Sequence, residues 1–374
     1  MNRLTESAAI LALIACLTLI GRPALQADEW TQFRGDPALT GIASTALPDD
    51  LAPRWRFEAG DGIESTAAIA GGSVFVASLD GKLYSLALES GDLQWTYEAS
   101  DEVKSSPSFR SGVVYFGDES GLFHAVDAAT GTARWTFQTD AGIISSANFV
   151  ADLVVFGSYD GFLYALNAGD GEVAWKIETE SYVHATPAIH DGHAYVGGCD
   201  GYLRQIRLDD GAQVSQLEMG AYVAGSMAIR DGRAFVGTFE NEVLGIDLAT
   251  SEIVWRYDNP DRDFPFYSSP AATEEVIVVG GRDKLVHAMN PETGNAVWTF
   301  MTDGRVDSSP VVAGDRVFVA SMSGVLYALS LGGGEVLWQY DTGSSVSASP
   351  SIAGGFLVIS TLDGAVFGFS SIPQ

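Results

Sequence analysis

Residues 103–135 read VKSSPSFRSGVVYFGDESGLFHAVDAATGTARW, and copies of this stretch account for almost everything after residue 54. The stretch contains the β-branched and aromatic run 113–117, the alternating run 122–126 and the Trp-containing segment 132–137, separated by turns that carry Gly or Asp. Together with an extended lead, these runs predict four short strands in each copy. No segment keeps the 3.6-residue period of an amphipathic helix, so the repeated unit is a β module.

A ladder of tryptophans gives the period of the repeat. Its steps are 40 residues, or 43 where one loop is longer, and Ser215 stands at the place where a Trp is missing. The members are Trp55, Trp95, Trp135, Trp175, Trp255, Trp298 and Trp338. Four-stranded repeats of about 40 residues are typical of propeller blades. We therefore predict an all-β fold, an eight-bladed β-propeller with four-stranded blades over residues 55–374, closed by the N-terminal strand around Trp55.

Two structural expectations follow from the repeat. The tryptophans should fill the gaps between neighbouring blades, because large aromatic side chains are usually buried. The seam at Ser215 should then be weaker, with either a cavity or a neighbour such as Leu217 in place of the indole. His124 and His287 occupy equivalent third-strand positions and are predicted to be structural.

The N-terminus predicts an exported protein. Residues 1–27 have Arg3, then an apolar run, then a small residue at Ala27, which is the pattern of a secretory signal peptide. The alternative is lipidation at Cys16, because residues 13–16 resemble a bacterial lipobox. The lead-in segment 28–54 predicts a coil with turns whose Trp30 and Phe33 pack against the ring, or else a tether. We expect a location in the periplasm or cell envelope, anchored to the outer membrane if Cys16 is lipidated.

The charge balance restricts the partners. The chain has 20 basic and 48 acidic residues, a net charge of −28. Such a surface repels phosphate backbones and anionic lipids, so we predict no nucleic-acid binding. The mature chain is expected to have no transmembrane span and to be a monomeric propeller. Without Cys16, Cys199 is the one remaining cysteine, which predicts a protein without an internal disulfide.

Two positions of the repeat vary while the rest stays constant. One precedes the Ser-Ser pair or its equivalent, and the other precedes the second turn. The first two strands of each repeat form a hairpin, and its register places the two positions opposite each other, as for Lys104 with Glu119 and His184 with Cys199. These pairs are expected at one mouth of the central channel, where dissimilar side chains indicate either a recognition surface or drift at positions that nothing packs against. With aromatics of the longest loop, the candidate partner-binding residues are Glu64, Lys104, Glu119, Tyr159, His184, Cys199, Phe239, Phe264, Phe266, Tyr267, Arg282, Asp307 and Met322.

Metal chemistry is weakly indicated. His184 and Cys199 would supply two ligands, fewer than the three or four that a zinc site needs. The longest loop, 258–267, carries Asp258, Asp261 and Asp263, but their spacing matches no calcium loop, and a solvated loop is the simpler interpretation. Its Phe264 and Phe266 are expected to be exposed next to Tyr267, which would suit a protein contact.

The segments SSPSFRSGVVYFGDESG and FHAVDAATGTARW resemble the PQQ-type propeller repeat, found in quinoprotein alcohol dehydrogenases and in BamB, the lipoprotein of the outer-membrane β-barrel assembly machinery. The resemblance covers residues 55–369. For the enzymes it implies a quinone and a calcium ion on the channel axis, an Asp base and often a disulfide between adjacent cysteines. This chain has no adjacent cysteines and no CxxCH haem motif, and only Glu64 and Asp307 could act as acids near the axis.

The size and the short loops are closer to BamB-like scaffolds. We therefore predict an exported, non-catalytic scaffold that binds envelope proteins, with BamB-like assembly of outer-membrane proteins as the named possibility and no cofactor expected. The alternative is a small PQQ-dependent alcohol or sugar dehydrogenase that binds PQQ and calcium.

Overall fold

The β-rich repeats form eight four-stranded sheets in a computed structural model that describes residues 28–223, 225–259 and 262–371. The strands of blades 1 to 4 are β2 (Ala68–Ala70), β3 (Ser73–Ala77), β4 (Lys82–Ala87) and β5 (Leu93–Glu98); β6 (Ser108–Arg110), β7 (Val113–Gly117), β8 (Leu122–Asp127) and β9 (Ala133–Gln138); β10 (Asn148–Val150), β11 (Leu153–Gly157), β12 (Phe162–Asn167) and β13 (Val173–Glu178); and β14 (Ala188–His190), β15 (His193–Gly197), β16 (Tyr202–Arg207) and β17 (Gln213–Glu218).

The remaining strands complete blades 5 to 8. They are β18 (Ala228–Arg230), β19 (Arg233–Gly237), β20 (Glu242–Asp247) and β21 (Glu252–Asp258); β22 (Ala271–Ala272), β23 (Ile277–Gly280), β24 (Leu285–Met289) and β25 (Ala296–Met301); β26 (Val311–Ala313), β27 (Arg316–Ala320), β28 (Val325–Ser330) and β29 (Val336–Asp341); and β30 (Ser351–Ala353), β31 (Phe356–Ser360), β32 (Ala365–Ser371) and β1 (Leu51–Glu58).

The two ends of the repeat meet in blade 8. Strand β1 pairs antiparallel with β32, and Trp55 lies opposite Gly368. The N-terminal strand therefore supplies the outer strand that the last repeat lacks, which leaves no sheet edge open at the junction. The predicted eight-bladed, all-β propeller and its closure around Trp55 are confirmed. Within the described ranges, no helix has the length and hydrophobicity needed to cross a membrane.

Each tryptophan of the ladder joins its blade to the next one. The indole N–H of Trp55, for example, donates to the carbonyl of Leu88 at 2.7 Å, and that of Trp95 donates to Ala128 at 3.0 Å. The ring packs against a glycine of the neighbouring third turn; a Cβ on Gly91, whose φ is 72°, would lie 2.7 Å from the Trp55 ring. Burial of the indole and satisfaction of its N–H together hold adjacent sheets in contact.

The seam without a tryptophan is filled by other side chains. Ser215 lies opposite Gln205, whose Oε1 accepts a hydrogen bond from the Ser215 hydroxyl at 3.0 Å. The glycine position of the next turn is taken by Ser251, which has a φ of 55°. A void of only about 10 Å³ remains, bordered by Leu217 among others. Of the two outcomes expected for this seam, filling by neighbours therefore describes it better than a cavity.

The lead-in segment crosses the end of the channel that lies opposite the mouth. Its backbone pairs with the inner strands: Trp30 exchanges two hydrogen bonds with Ile69, and the carbonyls of Thr31, Pro37, Ala38, Thr40 and Gly41 accept from amides of the inner strands of blades 2, 4, 5, 6 and 7. Trp30 is buried, as expected, and Phe33 is half-buried. Unpaired amides at the inner edge are satisfied in this way, so the segment is part of the fold.

A buried arginine fixes the middle of this segment. The Arg34 guanidinium is fully buried, and its Nη2 donates to the carbonyls of Pro270 at 3.0 Å and Pro310 at 2.5 Å. Burial lowers the pKa of Arg34 to about 9, so the side chain is still charged at neutral pH. The predicted signal peptide, Cys16, Ala224 and Asp261 lie outside the described residues.

Candidate functional site: the mouth of the central channel

The mouth, formed by the second turn of each blade and the loops between blades, opens into a cavity of about 470 Å³ on the propeller axis. Most of the variable residues predicted for recognition line this cavity: Glu64, Lys104, Tyr159, His184, Tyr267, Arg282, Asp307 and Met322. Glu119, Cys199, Phe239, Phe264 and Phe266 do not belong to its lining. The repeat register thus identified eight residues of the cavity wall, and the other five lie outside it.

Below the variable residues, the cavity wall is a ring of eight hydroxyl groups. The backbone N–H of each ring residue donates to the hydroxyl oxygen of its counterpart in the next blade at 2.9–3.2 Å, and the bond from Ser349 to Thr66 closes the circle. The members are Thr66, Ser106, Ser146, Thr186, Ser226, Ser269, Ser309 and Ser349. Phe33 of the lead-in segment also lines the cavity. The channel is therefore a polar pocket covered at one end.

One carboxylate on the blade 6–7 side is held by two arginines. Asp307 Oδ1 accepts from Arg282 Nε at 2.9 Å, and its Oδ2 lies 3.0 Å from Arg305 Nε. The Arg282 guanidinium also lies over the Tyr267 ring, 4.2 Å from its centroid. The two guanidinium groups thereby hold the Asp307 carboxylate in place and compensate its charge. Its predicted cross-strand neighbour Met322 lies on the cavity wall.

On the blade 2 side, Lys104 and Glu119 form the predicted ion pair, with Nζ 2.9 Å from Oε1. The hydrogen bond from Lys104 to Glu119 raises the pKa of Lys104 above its ordinary value, and the nearby Glu64 acts in the same direction. Glu64 makes no ion pair with the described part of the chain. It is therefore the carboxylate of the cavity with the greatest freedom to meet a ligand.

His184 contacts a residue of the preceding blade. Its Nδ1 is 2.6 Å from the Tyr159 hydroxyl, whereas no hydrogen bond or ring contact among the described residues joins it to Cys199. The paired residues of strands β14 and β15 keep the register from which His184 was predicted to face Cys199, and the imidazole itself bonds to Tyr159 across the blade boundary. Burial lowers the pKa of His184 below its ordinary value, so the imidazole is neutral at pH 7. Burial likewise raises the pKa of the free Cys199 thiol.

Four aromatic side chains are exposed on one side of the mouth. Tyr182 is 56% exposed, Tyr222 60%, Phe239 38% and Phe264 49%. They lie on loops of blades 4 to 6, and we call these four residues the aromatic sector. The prediction that Phe264 is exposed is confirmed. The same prediction for Phe266 is wrong: this ring is 1% exposed and packs edge-on against His287, with centroids 4.9 Å apart.

The set predicted from sequence missed several mouth residues, and three of them share one position of the repeat. Tyr182, Tyr222 and Arg305 each stand two positions before a variable residue of the ring. The equivalent residues in other repeats include Gly62, Glu102 and Pro265, so this position also varies. Comparing it between repeats would have revealed it as a third variable site.

The cavity does not offer the oxygen ligands that calcium prefers. Calcium takes six to eight oxygen ligands, yet the lining has two carboxylates, and Asp307 is already bound by two guanidinium groups. The described His, Cys, Asp and Glu side chains contain no cluster of three that could hold a metal ion. Asp258 and Asp263 of the longest loop belong to no such cluster. The carboxylates of the cavity therefore supply fewer free oxygen ligands than a calcium ion takes.

Solved structures share this architecture at low sequence identity. BamB from Moraxella catarrhalis superposes with a TM-score of 0.74 at 20% identity, covering 87% of this chain and 98% of that chain. The quinohemoprotein alcohol dehydrogenase ADHIIG from Pseudomonas putida HK5 gives 0.79 at 14% identity, covering 93% and 82%, and the computationally designed Ika8 protein gives 0.76 at 17% identity, covering 85% and 99%. At such identities the similarity shows the fold alone. No curated protein matches the chain at a significant level.

One family model matches nearly the whole propeller. Its overlapping matches cover residues 48–181, 139–261, 199–303 and 282–371, and it is described as outer membrane protein assembly factor BamB. These matches include every blade and the closing strand. The chain therefore belongs to this BamB-like family of PQQ-type propellers.

Proposed function

We propose that this protein is a non-catalytic, BamB-like scaffold of the cell envelope that binds a partner polypeptide at the mouth. The observation that carries the proposal is the aromatic sector. Exposed aromatic residues contribute much of the energy of protein interfaces, and here they stand together beside a ring of varied polar side chains. Side chains at the mouth belong to short loops on a rigid ring, so binding would not require the blades to move.

The charge arrangement of the cavity supports binding over catalysis. Asp307 is fixed between Arg282 and Arg305, and the His184 ring nitrogen Nδ1 is already engaged with the Tyr159 hydroxyl. A general acid or base must be free to exchange a proton with a bound molecule. Glu64 alone has that freedom among the carboxylates that line the cavity.

Capture from an envelope extract tests the proposal. Immobilised protein carrying Tyr182→Ser and Tyr222→Ser should lose a partner that the unchanged protein retains, because the buried aromatic area at the contact is removed. The control variant carries Leu93→Ser and Leu337→Ser, two exposed side chains on the outer strands β5 and β29. Equal capture by all three proteins would show that the mouth is not the binding surface.

The same protein tests the dehydrogenase alternative. Purified protein is incubated with PQQ and calcium chloride, and quinone absorbance and dye reduction with alcohols and sugars are measured. We expect no stoichiometric quinone binding and no turnover. Tight binding with turnover that is lost in a Glu64→Gln variant would contradict the scaffold proposal.

A further inference from the structure

We propose that the aromatic sector and the carboxylates around it dock a basic, Lys- or Arg-containing polypeptide segment. This inference rests on the proposed function and adds the chemical class of the partner and the part of the mouth that it contacts. A lipid surface and a nucleic acid are both disfavoured by the net charge of −28.

The aromatic sector differs from the other exposed apolar side chains of the described residues. Those are aliphatic, lie mostly on the outermost strands and recur from blade to blade, as for Val173 and Leu337. All four strongly exposed aromatic rings lie on the mouth loops of blades 4 to 6. Scattered exposed aliphatic residues are normal, whereas a group of aromatic rings on one side of a mouth indicates a binding surface.

Two of the four rings of the aromatic sector are held in place by neighbouring rings. Tyr182 stacks on Tyr159 with centroids 5.0 Å apart, and the Phe239 ring lies edge-on to Tyr267 at 6.2 Å. The Phe239 backbone N–H also donates to the Tyr222 carbonyl at 2.9 Å, which joins the loops of blade 5. The rings of Tyr182 and Phe239 are therefore preorganised, and their part in binding would cost little side-chain entropy.

Free carboxylates surround these rings. Six acidic residues on the same loops and strand ends are exposed and form no ion pair or side-chain hydrogen bond within the described ranges: Glu178, Glu180, Glu218, Glu240, Asp258 and Asp263. The nearby cations that the structure describes do not pair with these carboxylates: Arg256 is 2.5 Å from Glu242, Arg262 donates to the carbonyl of Asp283, and Lys176 lies over the Phe162 ring. The surface around the aromatic sector thus carries uncompensated negative charge.

Exposed rings and free carboxylates together select a cationic partner. A guanidinium or ammonium group can lie over an aromatic face while a neighbouring carboxylate neutralises it. The protein uses this arrangement internally: Arg282 lies over Tyr267 while bound to Asp307. Because the carboxylates occur on loops of three blades, an extended segment with several cationic side chains matches the surface better than a single small cation. The net charge of the chain would also accelerate the approach of such a segment.

A defined probe tests the inference without knowledge of the natural partner. We would measure fluorescence anisotropy with a labelled peptide of about 12 residues carrying about six arginines, and with its glutamate counterpart, against the mature protein. The arginine peptide should bind and the glutamate peptide should not. Tyr182→Ser with Tyr222→Ser should weaken binding roughly 10-fold, which is what the loss of two partly exposed cation–π contacts predicts.

Charge variants separate a local site from the general field of the protein. Glu180→Gln, Glu240→Gln and Asp263→Asn combined should weaken binding roughly fivefold and reduce its salt dependence. The matched control, Glu89→Gln, Glu172→Gln and Glu275→Gln, removes the same charge from exposed acidic residues at the other end of the blades and should change the affinity less than twofold. Equal weakening by both triple variants, or no binding of the arginine peptide, would overturn the inference.

Capture of a partner from the envelope extract tests the scaffold proposal separately from the peptide assay. Loss of capture in the Tyr182→Ser, Tyr222→Ser variant, with full capture by the Glu180, Glu240 and Asp263 triple variant, would reject a basic partner and keep the mouth as the binding surface. Full capture by both variants would reject the basic partner and also the mouth as the binding surface.

Discussion

Replacing Ser215 by Trp should destabilise the propeller, even though Trp occupies this place in every other complete seam. The void at the seam is about 10 Å³, close to the smallest space that holds one water molecule, so an indole does not fit without displacing neighbours. Two neighbouring side chains occupy space that the indole would need. Gln205 stands where other seams place Ser, Ala or Gly opposite the Trp, and Ser251 stands where six of the seven Trp seams have a glycine.

The size of the effect follows from the equivalent seams. A Cβ on Gly91, Gly131 or Gly211 would lie 2.7 to 2.8 Å from the Trp ring, closer than real contacts, and Ser251 already has such a Cβ. Overpacking of this kind costs about 1–3 kcal/mol. With an unfolding entropy of about 2.1 cal/mol/K per residue, a loss of about 3 kcal/mol lowers the Tm of a chain of this length by roughly 4 °C.

Compensating changes should restore the seam. In the triple variant Gln205→Ala, Ser215→Trp and Ser251→Gly, the indole N–H can reach the carbonyl of Leu248, the counterpart of Leu208, which Trp175 uses. Burial of the indole then contributes about 1.5–3 kcal/mol. We expect the triple variant to have a Tm at or above that of the unchanged protein. The stability changes of the three single variants should therefore not add up to that of the triple variant.

Differential scanning calorimetry measures the Tm values, and hydrogen exchange followed by mass spectrometry reports on β17 and β20 directly. The control is Ser215→Ala, which removes the hydroxyl without adding volume and should change the Tm little. A single Ser215→Trp variant that melts at or above the unchanged protein would show that Gln205 and Ser251 do not fill the seam, and the reasoning would fail.

Three further predictions concern the ring of hydroxyl groups, the closing strand and the buried contact between Asp118 and His124. Ser106→Ala leaves the buried amide of Thr66 without its acceptor and should cost about 1–3 kcal/mol, measured as a lower urea midpoint; an unchanged midpoint would mean that water replaces the hydroxyl. Deleting residues 28–59 removes the closing strand and the cover of the channel, so size-exclusion chromatography should show aggregation, and a monomer with an unchanged melt would contradict the closure. Burial opposes ionisation of Asp118, but hydrogen bonds, led by the one from His124, hold its pKa below the ordinary 3.8. The stabilisation that ionised Asp118 gives the fold is therefore fully present above pH 3.8 and is lost as the pH falls through the lower pKa of the folded state. Asp118→Asn should accordingly make the Tm less dependent on pH in the acid range.

The sequence determined what repeats within one blade. Strand order, turn positions and the pairing of neighbouring strands depend on residues a few positions apart, and eight copies of one pattern make that local information redundant. Hence the four-strand unit, the closure at Trp55 and the structural roles of His124 and His287 could all be predicted. His124 and His287 indeed lie buried between a Tyr hydroxyl and an Asp, at 2.9–3.2 Å. The inner ring of the mouth followed as well, because its members occupy the same register position in every blade.

Tertiary structure alone decided which side chains of the mouth contact each other across a blade boundary. His184 meets Tyr159, and Asp307 meets Arg282, because neighbouring sheets are rotated about the axis and their long side chains reach across the boundary. The inward position of Phe266 depends on the space beside His287, which the loop sequence does not encode. The lead-in segment has no repeat to indicate its course, and it covers the channel because its carbonyls accept hydrogen bonds from the inner strands of blades far apart in sequence.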